Sequence, residues 1–89
     1  MDIIWIEADG DYSRLNTSNG TYLSNYGIST LETKLNPNSF IRVHRSSLIH
    51  LKYIKEVQKY LSSYDVIMQN NDVVRVSRGY MDNLKKLMY

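Results

Sequence analysis

The sequence predicts a mainly β domain of the α+β class, made of antiparallel strands with a short helix in the middle of the chain and another at its C-terminal end. Short runs rich in β-branched and aromatic residues recur along the chain and are typical of strands. An Asn-Gly and an Asn-Asn pair lie between such runs, where hairpin turns need residues that tolerate positive φ. Near residue 77 the apolar spacing changes from that of a strand to that of a helix.

Size and composition limit this fold to one domain covering residues 1–89. A chain of this length buries only about 60–65% of the surface that its unfolded form exposes, which leaves room for a single small core. The composition, 43% hydrophobic and 22% charged, is ordinary for a folded domain outside the membrane. No apolar run approaches the roughly 18 residues of a membrane span. The lack of cysteine excludes disulfide bonds and thiolate zinc sites, and we expect a cytoplasmic location.

The first part of the chain predicts three strands. Ile3–Ile6 is a continuous apolar run that suits a strand covered on both faces. The segment 7–11, in which a glycine stands between two aspartates, is expected to form a turn. Tyr12–Thr17 alternates as a half-exposed strand does, and Thr21–Ser24 is its hairpin partner across the Asn-Gly pair at 19–20.

A short helix is predicted after these strands. Ser29 and Glu32 have the spacing of a capping box, in which the hydroxyl and the carboxylate each accept a backbone N–H of the first turn. Ile28 precedes the box and is placed to act as a hydrophobic staple. Pro37 ends the helix because proline cannot continue the backbone ladder, and a strand beginning at Phe40 follows.

The second half predicts a three-stranded meander followed by a helix. Residues 48–54 are expected to form a short extended or helical-turn passage, because their pattern is irregular. The runs Ile54–Tyr60, Tyr64–Met68 and Asp72–Val76 are typical of strands, with an Asn-Asn turn before the last. Ser77 is expected to cap the final helix. The apolar stripe of this helix comprises Tyr80, Met81, Leu84, Leu87 and Met88.

One segment carries an unusual density of polar groups. Beside the apolar residues of the strand at 40–43, the chain places two guanidinium groups, an imidazole and two hydroxyls within six residues: Arg42, His44, Arg45, Ser46 and Ser47. Neither a core nor a plain solvated strand needs so many donors, so we expect this segment to bind an anionic or polar ligand. For any single residue of the set, the alternative is a solvated strand face or a turn.

Charge is distributed unevenly along the chain. Residues 1–41 contain two Lys or Arg against five Asp or Glu, a net charge of −3, and residues 42–89 contain nine against four, a net charge of +5. A polyanion is therefore expected to bind the second half, with an affinity that falls as salt rises.

The sequence does not favour catalysis, a metal site or a cofactor. His44 and His50 lack the helical spacing and the further ligands of a zinc site. The acidic turn at 9–11 lacks the later ligands of a calcium loop. No glycine-rich phosphate loop or nucleophile elbow occurs. We therefore expect a binding module rather than an enzyme.

Three blocks of the sequence resemble a known family. They are Ile4–Tyr12 (IWIEADGDY), Phe40–Ile49 (FIRVHRSSLI) and Val76–Tyr80 (VSRGY). In this order and at this spacing they look like the signature blocks of the LytTR DNA-binding domain, the output module of many bacterial response regulators. The resemblance covers nearly the whole chain, and the Arg-Val-His-Arg-Ser motif is its most distinctive part.

The resemblance implies a mostly β fold whose loops, rather than a recognition helix, enter the grooves of double-stranded DNA. Carried over by position, the DNA-binding residues would be Ser13, Arg14, Arg42, His44, Arg45, Ser46, Ser77, Arg78 and Gly79. Arginine can fork onto guanine in a major groove, and hydroxyls suit phosphate oxygens. Gly79 departs from the family, in which a larger residue is common, so base reading by the last loop is expected to rest on Arg78.

The resemblance also carries expectations about the rest of the protein. Family domains usually begin with a further strand, so the sequence is expected to be trimmed from a longer two-component transcription regulator that also contains a receiver domain. A homodimer on a repeated half-site is an expected arrangement, because one small domain reads few base pairs.

Two other binding functions remain open from the sequence. A small β module could bind an acidic protein or peptide along an exposed sheet edge, and this is the main alternative to sequence-specific DNA binding. Tyrosines at strand spacing could also stack the bases of single-stranded nucleic acid, although such tyrosines commonly pack across strands: Tyr12, Tyr22, Tyr60 and Tyr64.

Overall fold

The computed structural model describes residues 2–86 and confirms a mainly β fold of antiparallel strands. The strands are β1 (Ile3–Asp9), β2 (Tyr12–Thr17), β3 (Gly20–Ser24), β4 (Phe40–His44), β5 (Ser47–His50), β6 (Ile54–Lys59), β7 (Tyr64–Met68) and β8 (Val73–Val76). The helices are α1 (Ile28–Lys34) and α2 (Met81–Lys85), and single 3₁₀ turns cover Leu51–Tyr53 and Arg78–Tyr80. No helix of the described part of the chain is long and apolar enough to cross a membrane.

The larger sheet has the strand order β3-β2-β1-β5-β4. Strand β1 is longer than predicted, because its pairing with β2 continues through Glu7 and Ala8 to Asp9, which faces Tyr12. The prediction of a turn starting at Glu7 is therefore wrong. The turn consists only of Gly10 and Asp11. Gly10 has a φ of +64°, a left-handed conformation that glycine adopts without strain.

Helix α1 begins earlier than the capping box predicted. Leu31 N–H donates to the Gly27 carbonyl at 3.0 Å, so Gly27 occupies the N-cap position and Ser29 lies within the first turn. No side chain caps this helix. The earlier start puts Ile28 and Leu31 on the buried face of the helix, which shows that packing against the sheet, rather than capping, sets where α1 begins.

The smaller sheet is the predicted meander, in the order β6-β7-β8. Its second turn contains Asn71 at a φ of +71°, in agreement with the prediction of a residue that tolerates positive φ. The irregular segment before this sheet contains both predicted alternatives in succession, since β5 is extended and the 3₁₀ turn Leu51–Tyr53 follows it.

The larger sheet is buried on both faces at β1, β5 and β4, so the core consists of two clusters rather than the single one predicted. Consecutive residues of a strand point to opposite faces. Leu48 packs with Ile6, Ile28 and Leu31 on the α1 side, whereas Ile49 packs with the residues of the smaller sheet. Those residues are Tyr64, Val66, Met68, Val74 and Val76.

The C-terminal segment begins with a 3₁₀ turn instead of an α-helix capped by Ser77. The N–H of Ser77 donates to the Val43 carbonyl at 2.9 Å, which ties the chain to β4, and the Ser77 hydroxyl makes no capping bond. Helix α2 starts only at Met81, and its Leu84 is buried in the core as predicted. The predicted stripe residues Leu87 and Met88 lie outside the described residues.

Candidate nucleic-acid interface

The three sequence blocks meet at one end of the fold, although they are far apart along the chain. The Ala8 N–H donates to the Ser46 carbonyl at 2.8 Å, which joins the end of β1 to the turn between β4 and β5. The bond from Ser77 to Val43 joins the same end of β4 to the last block. We call the turns 10–11 and 45–46 together with the segment 77–79 the loop edge.

Arg45 and Arg78 are the available guanidinium groups of the loop edge. Both residues are exposed. The ion pairs found among residues 2–86 involve Arg14, Arg42 and Arg75 instead. Arg45 stands at the tip of the two-residue turn that connects β4 to β5, and Arg78 opens the 3₁₀ turn after β8. The two side chains can therefore approach an anionic surface without first breaking an ion pair seen here.

Arg14 is also exposed, but its charge is balanced by carboxylates. Its guanidinium contacts Glu7, which lies opposite it on β1, and donates to Asp9 Oδ2 at 3.1 Å. With Asp11 in the adjoining turn, the β1–β2 end of the loop edge carries three carboxylates. The positive charge of the loop edge is therefore concentrated around Arg45 and Arg78.

Ser13 does not lie on the surface, contrary to its selection as a DNA-binding residue. It is fully buried, and its Oγ makes no hydrogen bond. The alternation of β2 turns Ser13 inward while its neighbours Tyr12 and Arg14 point outward. A DNA contact by this hydroxyl would require the inward and outward side chains of β2 to exchange faces. We therefore remove Ser13 from the candidate interface.

Arg42 is a brace beneath the loop edge rather than part of its surface. Only 8% of the residue is exposed. Its Nε donates to the His44 carbonyl at 2.9 Å, another nitrogen donates to the Arg45 carbonyl, and Nη1 donates to Glu32 Oε1 at 2.7 Å. We therefore also remove Arg42 from the DNA-contacting set, because its fork connects the β4–β5 turn to helix α1.

The brace extends to the C-terminal block through two further contacts. The guanidinium carbon of Arg42 lies 5.9 Å from the centre of the Tyr80 ring. Asn83 Nδ2 donates to the Arg42 carbonyl at 2.9 Å. Sequence reasoning missed Glu32, Tyr80 and Asn83 in this role, and no local pattern connects residues separated by up to 51 positions, the distance from Glu32 to Asn83.

The remaining candidates lie at the loop edge and differ in exposure and in hydrogen bonding. His44 and Ser46 are half-buried and bonded to each other, since Ser46 N–H and Oγ lie 3.1 and 2.8 Å from His44 Nδ1. Ser77 is half-buried and Gly79 is exposed. No atom lies within 4 Å of the place where a Cβ of residue 79 would be, so a larger side chain would fit there.

A fourth loop, residues 60–63, lies at the same end of the smaller sheet. Tyr64 pairs with Val76, directly before Ser77, so the β6–β7 loop flanks the last block. Tyr60 and Leu61 are exposed in this loop. Tyr64 itself is buried in the core, which excludes it from stacking on bases.

The opposite end of the fold has its own polar cluster. A hydrogen bond from the Tyr53 hydroxyl holds the pKa of the Asp2 carboxyl below its ordinary value of 3.8, and the same contact raises the pKa of Tyr53 above 10.0. Lys52 lies beside the Tyr53 ring, and Lys55 donates to Asn71 at 2.8 Å. These lysines are remote from the loop edge and serve as internal controls for it.

The family model of the LytTr DNA-binding domain matches residues 1–89. The chain belongs to the LytTr DNA-binding domain family. This LytTr domain is 36% identical over 89 residues to the sensory transduction protein LytT of Bacillus subtilis, a match that covers 99% of the chain and 37% of that protein. It is 36% identical over 86 residues to the transcriptional regulatory protein LytR of Staphylococcus aureus, covering 96% of the chain and 35% of that protein.

A solved structure has the same fold. It is the LytTr DNA-binding domain of a methyl-accepting/DNA response regulator from Bacillus cereus, with a TM-score of 0.88 and 29% sequence identity. The match covers 97% of this LytTr domain and 80% of that chain. The chain spans only about a third of the length of LytT and LytR. The family resemblance that the three sequence blocks indicated is confirmed.

Proposed function

We propose that the loop edge binds double-stranded DNA in a sequence-specific manner, with Arg45 and Arg78 as the principal contacts. The observation that carries this proposal is that two exposed guanidinium groups, 33 residues apart, lie at one edge, free of the ion pairs that occupy Arg14, Arg42 and Arg75. A guanidinium can donate two hydrogen bonds to guanine O6 and N7 in a major groove or enter a narrow minor groove, where the potential is most negative.

The other groups of the loop edge fit supporting roles. The hydroxyl of Ser77 and the backbone N–H groups of the following 3₁₀ turn suit phosphate oxygens, which fix the register of a protein on the duplex without reading bases. Arg14 can join the contact only by exchanging Glu7 and Asp9 for phosphate. It is therefore expected to contribute less affinity than Arg45 or Arg78.

We further propose that the domain acts as the DNA-binding output of a longer cytoplasmic regulator. The relatives named above are a sensory transduction protein and a transcriptional regulatory protein, and the chain covers 37% and 35% of them. A receiver domain in the remainder would supply the input signal. Binding of two copies to a repeated half-site would give the specificity that one small interface lacks.

Substitution of the two arginines tests the contact. The cognate duplex is first selected from a random pool with the unmodified domain, and binding of each variant to it is then measured. Arg45→Ala and Arg78→Ala should each cost about 1–3 kcal/mol, or about 5- to 150-fold in affinity. Lys52→Ala at the opposite end is the matched control and should change affinity by less than about twofold. Equal affinity of all three variants would refute the assignment of the loop edge.

A salt titration separates DNA binding from the alternative of an acidic peptide paired along a sheet edge. Each phosphate contact adds to the slope of log affinity against log salt, so binding to the selected duplex should weaken steeply as the salt concentration rises. Edge pairing relies on backbone hydrogen bonds and should be nearly independent of salt.

A further inference from the structure

The turn that presents Arg45 is closed by a side chain, and this closure has a specific chemistry. Ser46 N–H lies 3.1 Å from Nδ1 of His44, two residues earlier, and Ser46 Oγ lies 2.8 Å from the same nitrogen. A side-chain acceptor that takes the backbone N–H two residues later is the arrangement of an Asx turn, which Asn or Asp normally forms with its Oδ1. Here the imidazole Nδ1 takes the place of that oxygen.

The contact with the Ser46 backbone N–H assigns the tautomer of His44, since the Ser46 hydroxyl can either donate to Nδ1 or accept from it. A backbone N–H can only donate, so Nδ1 must accept and cannot carry a proton. The proton of the neutral ring is therefore on Nε2. Nδ1 therefore accepts a hydrogen bond inside the turn, and only Nε2–H is left to donate to an external partner.

The turn is also fixed from below. Arg42 donates to the carbonyls of His44 and Arg45, while His44 receives the N–H of Ser46. Backbone groups on both sides of the Arg45 Cα are thus tied to side chains that are themselves buried or half-buried. Little freedom is left for the turn that aims the Arg45 side chain.

We propose that His44 is a positioning residue that holds Arg45 in its DNA-binding orientation through Nδ1, and that it is not itself a base-reading or phosphate-binding residue. This inference rests on the proposed function of the loop edge. If the turn is released, only the fraction of molecules with a competent turn binds, and the affinity for DNA falls by that fraction.

Two substitutions distinguish the two nitrogens. In His44→Asn the amide Oδ1 stands where Nδ1 stood and can accept the Ser46 N–H, but the ε position is lost. In His44→Gln the amide reaches the ε position, but nothing accepts at δ. Positioning through Nδ1 predicts that His44→Asn binds the selected duplex within about twofold of the unmodified domain, whereas His44→Gln binds about tenfold more weakly. Retention by Gln and loss by Asn would overturn the proposal, as would equal behaviour of the two variants.

A double-mutant cycle separates positioning from a merely structural effect. If His44 acts through Arg45, His44→Gln should weaken binding by less than about twofold in a domain that already carries Arg45→Ala, because there is no longer a guanidinium to aim. The same tenfold loss in both backgrounds would contradict positioning. Thermal unfolding of each variant shows whether a loss of affinity comes from unfolding.

A measurement without DNA keeps this inference distinct from the proposed function. The ring ¹⁵N shifts of His44 in the free domain should show an unprotonated Nδ1, and the Ser46 amide should exchange with solvent faster in His44→Gln than in His44→Asn. A protonated Nδ1 in the neutral ring would refute the turn closure even if DNA binds at the loop edge. If Arg45→Ala leaves affinity unchanged, the DNA contact fails although the turn closure stands.

Discussion

The burial of Arg42 determines how the polar segment at 40–50 has to be interpreted. Its guanidinium satisfies the carbonyls of His44 and Arg45 and pairs with Glu32, so three of its five N–H groups are used inside the protein. A sequence of alternating apolar and basic residues predicts the strand but not which arginine is internal. That distinction depends on a helix that approaches from another part of the chain.

Replacement of Arg42 should destabilise the fold as well as weaken DNA binding. Arg42→Lys keeps the charge but loses the planar fork, so one ammonium group cannot reach both carbonyls and Glu32. We expect the free energy of unfolding to fall by about 1–3 kcal/mol in chemical denaturation. Arg75→Lys is the matched control, because Arg75 is exposed and pairs with Asp65 at 3.2 Å, and it should change stability by no more than about 0.5 kcal/mol. Equal effects of the two substitutions would contradict the brace.

Ser13 provides the opposite case, a predicted contact that should be dispensable. Its hydroxyl is buried without a partner, so Ser13→Ala removes an unsatisfied polar group and no hydrogen bond. We expect the melting temperature to stay the same or rise, and the affinity for the selected duplex to remain unchanged. A clear loss of DNA affinity in a stable Ser13→Ala domain would return Ser13 to the interface.

At the scale of elements, the sequence predicts strands better than the places where they begin and end. Tyr12–Thr17 and Tyr64–Met68 match the bounds of β2 and β7. In β2 the alternation between more exposed and more buried residues is also the one predicted. The extension of β1 to Asp9 was not predictable, since Glu7, Ala8 and Asp9 are held in the sheet by pairing with β2. The start of α1 was missed because packing of Ile28 prevailed over the capping preference of Ser29.

In the last sequence block, Val76–Tyr80, a substitution at residue 79 is expected to strengthen DNA binding. Residue 79 lies in the 3₁₀ turn at the loop edge, its surroundings are open, and a side chain would meet no atom within 4 Å. Gly79→Lys should therefore leave stability nearly unchanged and strengthen binding to any duplex by about 1 kcal/mol or less through an added phosphate contact, with a steeper salt dependence. Gly79→Gln adds a similar volume without the charge and serves as the control. An affinity and a salt dependence equal to those of Gly79→Gln would place residue 79 outside the interface.

At the scale of the whole molecule, the arrangement of the sheets decides which residues can act together. The hydrogen bond from the Ser77 N–H to the Val43 carbonyl and the one from Trp5 Nε1 to Asp72 Oδ2 at 2.8 Å both join the two sheets. They bring the second and third blocks to one end and the 69–72 turn to the other. The family resemblance implied that loops from all three blocks meet DNA, but the residue patterns themselves carry no signal for contacts between residues 34 or 67 positions apart.

The same arrangement explains why net charge is a poor guide to the interface. The second half of the chain has a net charge of +5, yet Lys52 and Lys55 lie at the end opposite the loop edge, and Arg75 is paired with Asp65. The first half, with its net charge of −3, still contributes the end of β1 to the loop edge. The specific contact that we propose therefore relies on Arg45 and Arg78 rather than on the overall positive charge.

The most direct test of the central claim is to titrate the ¹⁵N-labelled domain with the selected duplex and to map the changes in amide chemical shift. We expect the largest changes at residues 44–47 and 77–79, and nearly unchanged shifts at residues 51–55 and 69–72, at the far end. The largest changes at the far end or along β3, with residues 45 and 78 unaffected, would place the DNA contact elsewhere on the domain.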